Sequence, residues 1–330
     1  MRTKAKFISV KETTISFMEF VKSFSTEYKA FCYLEKIRWS EGIVCPYCGE
    51  KITYPCNRKN QRGYHECAAC HKVFTVRTGT IFERSHVPLT KWLYACYKVI
   101  CARKGISSVQ LAVEIAVTQK TAWFMLQRIR ESYSSNSIDL GKLREIVEVD
   151  GAYFGGIEKC KHKNKKLDMG RGCIGKLCVL GMKQRKGKVK AVVIHETDKE
   201  TVHGILDNHI EKESTVMTDQ AKVYEDIEFE KHGIVDHSLS EYVKGEFSTN
   251  EIESVWAIMK RGWKGIYHHM SPKHLQLYVN EYCFRLNDGR CDRMIIDRVE
   301  SLCGFVLGSS HMTYKQLISR GGDNLLKRAA

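Results

Sequence analysis

Four cysteines fall into two CxxC pairs, Cys45-Pro46-Tyr47-Cys48 and Cys67-Ala68-Ala69-Cys70, with eighteen residues between Cys48 and Cys67. Each pair places two sulfurs on one tight turn, and two such turns joined by a short strand pair make a tetrahedral sulfur cage. Thiolates in that geometry favour zinc. A closed four-sulfur site is structural, so this zinc would do no chemistry. Gly49 follows the first pair, where a residue of positive φ is useful. The other ten of the fourteen cysteines are scattered and read mostly as small buried hydrophobes. One irregular group among them, Cys160, His162, Cys173 and Cys178, lacks metal-site spacing.

A second chemistry rests on carboxylates. Asp150 ends the apolar run Ile146-Val147-Glu148-Val149, and Asp219 ends Val216-Met217-Thr218. A carboxylate in a buried strand is costly unless it is paired or metal-bound. Two acids at strand ends in one sheet can share a divalent cation. Magnesium takes hard oxygen ligands and keeps waters for substrate phosphates. A third acid is expected from a helix crossing the sheet edge, and residues 250–263 offer candidates. Taken alone, Asp219 reads as the N-cap of a helix starting near Gln220, and Glu253 as a surface helix acid.

The charge balance calls for a polyanionic partner. Lys and Arg number 53 against 38 Asp and Glu, a net charge of +15. Residues 106–130 suggest where DNA would be met. Val109, Leu111, Ala112 and Ile115 would pack one helix, and Ala116 to Thr118 would turn the chain, with Thr118 as N-cap. Ala122, Trp123, Leu126 and Ile129 give the second helix its apolar face. Gln119, Lys120, Gln127, Arg128 and Arg130 are left for DNA in this helix-turn-helix reading. The basic loop 158–171 and Lys264 read either as solvated surface or as phosphate contacts. No run approaches the ~20 apolar residues of a membrane span, and the N-terminus lacks the pattern of a secretory signal. A cytoplasmic, nucleoid-associated location with no membrane partner is expected.

The elements that must position these groups follow from periodicity. A short amphipathic helix is expected over 25–37, small strands around the metal over 43–82, a helix over 88–104 and two more over 106–133. From 145 the pattern changes to three strand-like runs, IVEVDGAYFGG, KLCVLGMKQ and KVKAVVIHE. A helix over 199–212, the strand STVMTD, a weaker helix and the strand IVDHSL come next. Residues 250–286 read as helical with an interruption near Ser271-Pro272.

In this order, CPYCG…CAAC, a helix-turn-helix, VEVDGAYFGG, TDQAKVY and TNEIESVWAIMKRGWKGIYHHMSPKHLQLYVNEYCFRLN, the chain resembles the DDE transposases of bacterial insertion sequences that carry an N-terminal zinc ribbon, the ISXO-like group related to eukaryotic Merlin elements. The resemblance covers roughly residues 25–290, and Thr249–Asn287 is its most specific part. It implies a multidomain α+β protein: a helical segment at 1–40, a zinc ribbon at 41–84, a helix-turn-helix region at 85–140, an RNase H-like α/β catalytic domain at 145–290 and a tail at 291–330. It implies two magnesium or manganese ions and DNA cleavage and strand transfer at element ends. The partners expected are terminal inverted repeats, target DNA and further copies of the chain assembled on DNA. Carried over residue by residue, the metal ligands fall on Asp150, Asp219 and Glu253, with Lys260 at the family's basic position. Ser248 stands where the family often has His. The family also uses Asn as third ligand, so Asn250 stays open as an alternative. The rival readings are a nuclease that cuts without joining and a non-catalytic zinc-ribbon DNA-binding protein.

Helix geometry bears on Glu253 and Asn250. On one helix the apolar stripe centres near Ile252, Met259 and Trp263, and Glu253 lies about 100° from Ile252. Lys260 lies nearly over Glu253 two turns later, whereas Asn250 is about 60° further from the stripe. A carboxylate also suits a hard cation better than a neutral amide. Gln119, Lys120 and Arg128 in the helix-turn-helix candidate, and Lys264 just past the third-ligand helix, remain the expected DNA contacts.

Overall fold

Ser16 opens the first helix, α1 (Phe17–Ser23), through a capping box in which Ser16 and Glu19 each satisfy the other's backbone N–H. Thr26 caps α2 (Glu27–Arg38), which buries Ala30, Phe31 and Leu34. The computed structural model describes residues 15–58, 61–133, 141–155, 175–235, 248–288, 293–310 and 312–319. They form two units, Met1–Ser137 with Asp288–Ala330, and Ile138–Asn287.

In the first unit, β1 (Thr53–Arg58), β2 (Gln61–Cys67) and β3 (Val73–Phe74) make a small antiparallel sheet. Gly63 in β2 has φ +94°, and a Cβ there would run into the Phe31 ring of α2, so glycine is required twice over. Helix α3 (Leu89–Cys101) begins after Pro88, which supplies no side-chain cap. The cap comes from Glu27, whose carboxylate accepts from the N–H of Leu89 at 2.9 Å and of Thr90 at 3.3 Å. Helices α4 (Ser108–Ile115) and α5 (Gln119–Ser132) are joined through Ala116, in the left-handed region at φ 49°. Thr118 caps α5 by accepting from the N–H of Thr121. Leu111, Ala112 and Ile115 are buried as expected, but Val109, expected to pack with them, is 61% exposed.

The second unit centres on β4 (Ile146–Phe154). Antiparallel β5 (Leu177–Gln184) pairs along it, and β6 (Val189–Ile194) pairs with β5. After α6 (Lys199–His209), β7 (Thr215–Thr218) joins β4 in parallel, and β8 (Lys231–Ile234) joins β7. The strand order is β6-β5-β4-β7-β8. The helix expected after Asp219 is a single 3-10 turn, Lys222–Tyr224; the last described strand is Lys231–Ile234, and residues 236–239 of the expected strand IVDHSL lie outside the described residues. Helix α7 (Asn250–Gly262) continues into a π-turn, Trp263–Tyr267, and α8 (Leu275–Leu286) follows Ser271-Pro272. Strand alternation divides β4 between two cores. Val147 and Val149 pack with Val202, Leu206 and Val216, while Ala152 and Phe154 pack with Ile252, Val255, Trp256 and Met259.

The chain then returns to the first unit. Residues expected as a tail contain α9 (Ile295–Gly308) and α10 (Tyr314–Ser319). Val299, Leu302, Cys303 and Val306 of α9 are fully buried, and the helix packs on α2, α3 and α5. Each such side chain contributes about 1.5–3 kcal/mol when buried, and a whole domain is stable by only about 5–15 kcal/mol. A chain ending at Asn287 should therefore lose amide-exchange protection throughout α2–α5 while β4–β7 keep theirs. Equal protection of α2–α5 in the full and shortened chains would contradict this.

Candidate active site and metal centre

The four cysteines converge. Their sulfurs all lie within 4.8 Å of one another, with Cys45 to Cys70 at 3.7 Å and Cys48 to Cys67 at 3.5 Å. A tetrahedron with zinc–sulfur bonds of about 2.3 Å has edges of about 3.8 Å, so the cage has the size zinc needs. Both turns are built alike. Gly49 and His71, each just after its second cysteine, take positive φ, 78° and 53°. The backbone N–H of Cys70 points at the Cys67 sulfur and helps pull that thiol down to about 7, which favours the thiolate a metal binds. Phe74, Trp39 and Ile43 pack against the cage. Cys56 and His71 stay outside it. Of the irregular group, Cys178 is buried in β5, and Cys160, His162 and Cys173 lie outside the described residues.

The carboxylates are arranged by β4 and α7. Asp150 is half-buried, and its Oδ1 accepts from the N–H of Gly151 at 2.8 Å. Its Oδ2 accepts from the Trp256 indole at 2.9 Å. Trp256 reaches this position by lying over Gly181, the residue opposite Asp150 on β5, where a Cβ would overlap its ring. Burial first, and then the negative charges of Asp219 and Glu253, push the Asp150 carboxyl above its usual range, while the Gly151 and Trp256 donors oppose this. The folded chain thus holds this proton to higher pH than the unfolded one. The group's contribution to stability is present below the ordinary 3.8 and is lost as pH rises from there through the raised folded value. A divalent cation at these oxygens would offset that penalty, and the all-carboxylate donor set suits magnesium or manganese.

Asp219 is half-buried and accepts from the N–H of Ala221 at 3.0 Å, which closes the turn after β7. Glu253 is exposed on the first turn of α7, with the buried Thr249 hydroxyl 3.4 Å from its carboxylate. Asn250 is exposed at the first position of that helix. Among the described residues the cysteines form the one tight cluster of ligating groups. The three acids are coupled through their charges rather than drawn into such a cage. Tyr224 is buried beside them, and burial together with Asp219 and Asp150 drives its phenol pKa up.

Two groups at this site escape the sequence reading. Trp256 reads as core alone, yet its ring is core while its N–H serves Asp150. Glu148 reads as one residue of an apolar run. The signal for it is strand period, since positions 148 and 150 share a face.

The expected DNA contacts separate. Gln119 and Lys120 are exposed at the start of α5; the Gln119 amide donates to the Ser108 hydroxyl, and the Lys120 ammonium sits 4.8 Å over the Tyr314 ring. Lys260 and Lys264 are exposed. Arg128 is not available to DNA. It is 4% exposed, and its guanidinium donates to the carbonyls of Ile81, Glu83 and Met312. Gln127 and Arg130 are buried as well. The returning C-terminal segment causes this, because Met312 and Ser309 pack against this half of α5. His268 and His269 are exposed. The basic loop 158–171 lies outside the described residues. No helix among the described residues is long and apolar enough to cross a membrane.

Residues 142–287 match the ISXO2-like transposase domain, and residues 25–73 match the transposase zinc-ribbon domain. A relative from Halobacterium salinarum, an uncharacterized protein in transposable element ISH50, is 30% identical over 284 residues, covering 80% of this chain and 92% of the relative. Distant likenesses among solved structures include the simian T-cell lymphotropic virus intasome in complex with the PP2A regulatory subunit B56 gamma (TM-score 0.28, 15% identity, 66% of this chain and 74% of that chain). Another is the Mos1 strand transfer complex (TM-score 0.27, 9% identity, 64% and 74%).

Two outcomes are expected of this geometry. Cys67→Ser should lose the zinc, read by metal analysis, and with it the exchange protection of β1–β3, while β4–β7 are unchanged. Trp256→Phe keeps an aromatic ring, though a smaller one, and removes the N–H donor. The Asp150 titration midpoint, followed by carboxyl NMR, should then move further up, and an unchanged midpoint would show that the indole bond is not made in solution.

Proposed function

This chain belongs to the ISXO2-like transposases with an N-terminal zinc ribbon, and from that membership we propose that it cuts and joins DNA at a metal site formed by Asp150, Asp219 and Glu253. The observation that carries the reading is Asp150 itself. It stands on the central strand, is held by two donors, and bears the negative fields of both other acids. Magnesium or manganese bound there would supply Lewis acidity at the scissile phosphate, activating a water or 3′-hydroxyl and balancing charge on the leaving oxygen.

The chain's own residues divide the remaining work. Gly151 and Trp256 fix both Asp150 oxygens, so the central ligand does not have to be ordered when DNA arrives. Asp219 is presented by the parallel strand beside β4. Glu253 comes from the helix that covers this face, and Lys260, two turns along α7, is placed to meet a DNA phosphate. Gln119 and Lys120 stand at the start of α5, where a recognition helix offers donors to base edges, and Lys264 adds a phosphate contact. The order β6-β5-β4-β7-β8, with three antiparallel strands followed by two parallel ones, supports the RNase H-like reading of this sheet. The partners are then the element's terminal repeats and target DNA, with copies of the chain assembling on them.

A strand-transfer assay with pre-cut ends tests this; cleavage without joining would leave a nuclease. Glu253→Gln should abolish cleavage while DNA binding, read by mobility shift, persists. Asn250→Ala should reduce activity less. A dead Asn250→Ala protein beside an active Glu253→Gln protein would move the third ligand to Asn250.

A further inference from the structure

We propose that Glu148 and Arg185 act as a positioning pair that fixes where α7 begins and so holds Glu253 at the site; the proposal rests on Glu253 being the third ligand. Glu148 is fully buried on β4, two residues before Asp150 and on the same face. Its Oε2 accepts from the N–H of Glu251 at 2.8 Å and of Ile252 at 3.1 Å. Those are first-turn amides of a helix whose own N-cap, Thr249, makes no side-chain capping bond. The other oxygen meets the Arg185 guanidinium at 3.2 Å.

Arg185 ties the same end down from outside the helix. Its guanidinium also donates to the Ser248 hydroxyl at 3.0 Å, and its backbone N–H donates to the Ile146 carbonyl at 2.9 Å. Next to it, Lys183 pairs with the Glu251 side chain at 3.4 Å, and the N–H of Lys186 reaches that carboxylate at 3.1 Å. The last residues before α7 and its first turn are therefore gripped from β4 and from the β5–β6 turn together.

Stability is a poor account of this arrangement. A buried ion pair is often no more stabilising than apolar groups of the same volume, because both charges lose their hydration. It does fix register. A helix turns about 100° per residue, so a slip of one residue at the start of α7 would carry Glu253 away from Asp150. Because Glu148 lies one strand repeat from Asp150, the first ligand and the grip on the third share one rigid strand.

The test uses the full chain with zinc in place and compares the wild type, Glu148→Gln, Arg185→Lys and Glu253→Gln. Manganese binding is titrated by electron paramagnetic resonance without DNA, exchange of the Glu251 and Ile252 amides is measured, and strand transfer on pre-cut ends gives kcat and KM. Groups that orient metal ligands typically account for about 10–100-fold in affinity or activity. Glu148→Gln should therefore weaken manganese binding at the carboxylates by about 10-fold or more, speed exchange at both amides and lower kcat with KM for DNA unchanged. Excess manganese should restore part of the rate, which a merely misfolded variant would not show. Arg185→Lys keeps the charge but cannot reach Glu148 and Ser248 together, and it should weaken manganese binding in the same direction; it decides the matter if Glu148→Gln fails to fold. Wild-type manganese affinity in the folded variants, with weakened binding in Glu253→Gln, would overturn the positioning pair alone. Equal affinity in wild type and Glu253→Gln would remove the third-ligand reading, and the positioning pair with it.

Discussion

Glu148 and Asp150 stand on one face of β4, and the rest of that face packs against apolar side chains of α7. Neither acid can be left there without partners, since an uncompensated buried carboxylate costs several kcal/mol. Much of the local architecture answers this one constraint. Glu148 takes the amides at the start of α7 and the Arg185 guanidinium. Asp150 takes the Gly151 N–H and the Trp256 indole. The indole can reach only because residue 181, directly across the sheet, has no side chain. The placement of α7 over the sheet thus follows from where two charges needed donors.

The first unit solves a related problem in the same way. Helix α3 starts at a proline and lacks a side-chain cap of its own, and Glu27 supplies it from sixty-two residues earlier in the chain while pairing with Arg77 at 2.7 Å. In both units a glutamate distant in sequence caps a helix that cannot cap itself. Such a bond adds modest stability. Its larger effect is to specify which segments lie side by side, because a carboxylate bonded to two successive amides tolerates little sliding.

What the sequence disclosed depended on how local the cause was. Periodicity located α2, α3, α4, α5 and the three strands β4 to β6, because those patterns are set by neighbours a few residues apart. The cysteine cage was legible because each half is a self-contained turn. Arg128 was misread because what buries it, the Met312 and Ile81 carbonyls, lies 184 and 47 residues away. Val109 reads as a packing residue from its sequence, but α4 turns it outward. Trp256 was half legible: its spacing on the apolar stripe marks it as core, and nothing in spacing shows which way an indole N–H points. Glu148 was hidden inside an apolar run for the same reason, since its partners belong to α7 and to the β5–β6 turn.

The fold of the first unit also sets a timetable. Helix α9, which packs on α2 and α3, is encoded after the whole β4–β8 sheet, so a ribosome emits it only once that sheet is out. Until then the ribbon-bearing unit is missing part of its interior. A prematurely ended polypeptide would carry the carboxylate strands without a finished partner unit, and quality-control proteases act readily on such incomplete domains. The interior of the first unit therefore closes only in a product translated through α9.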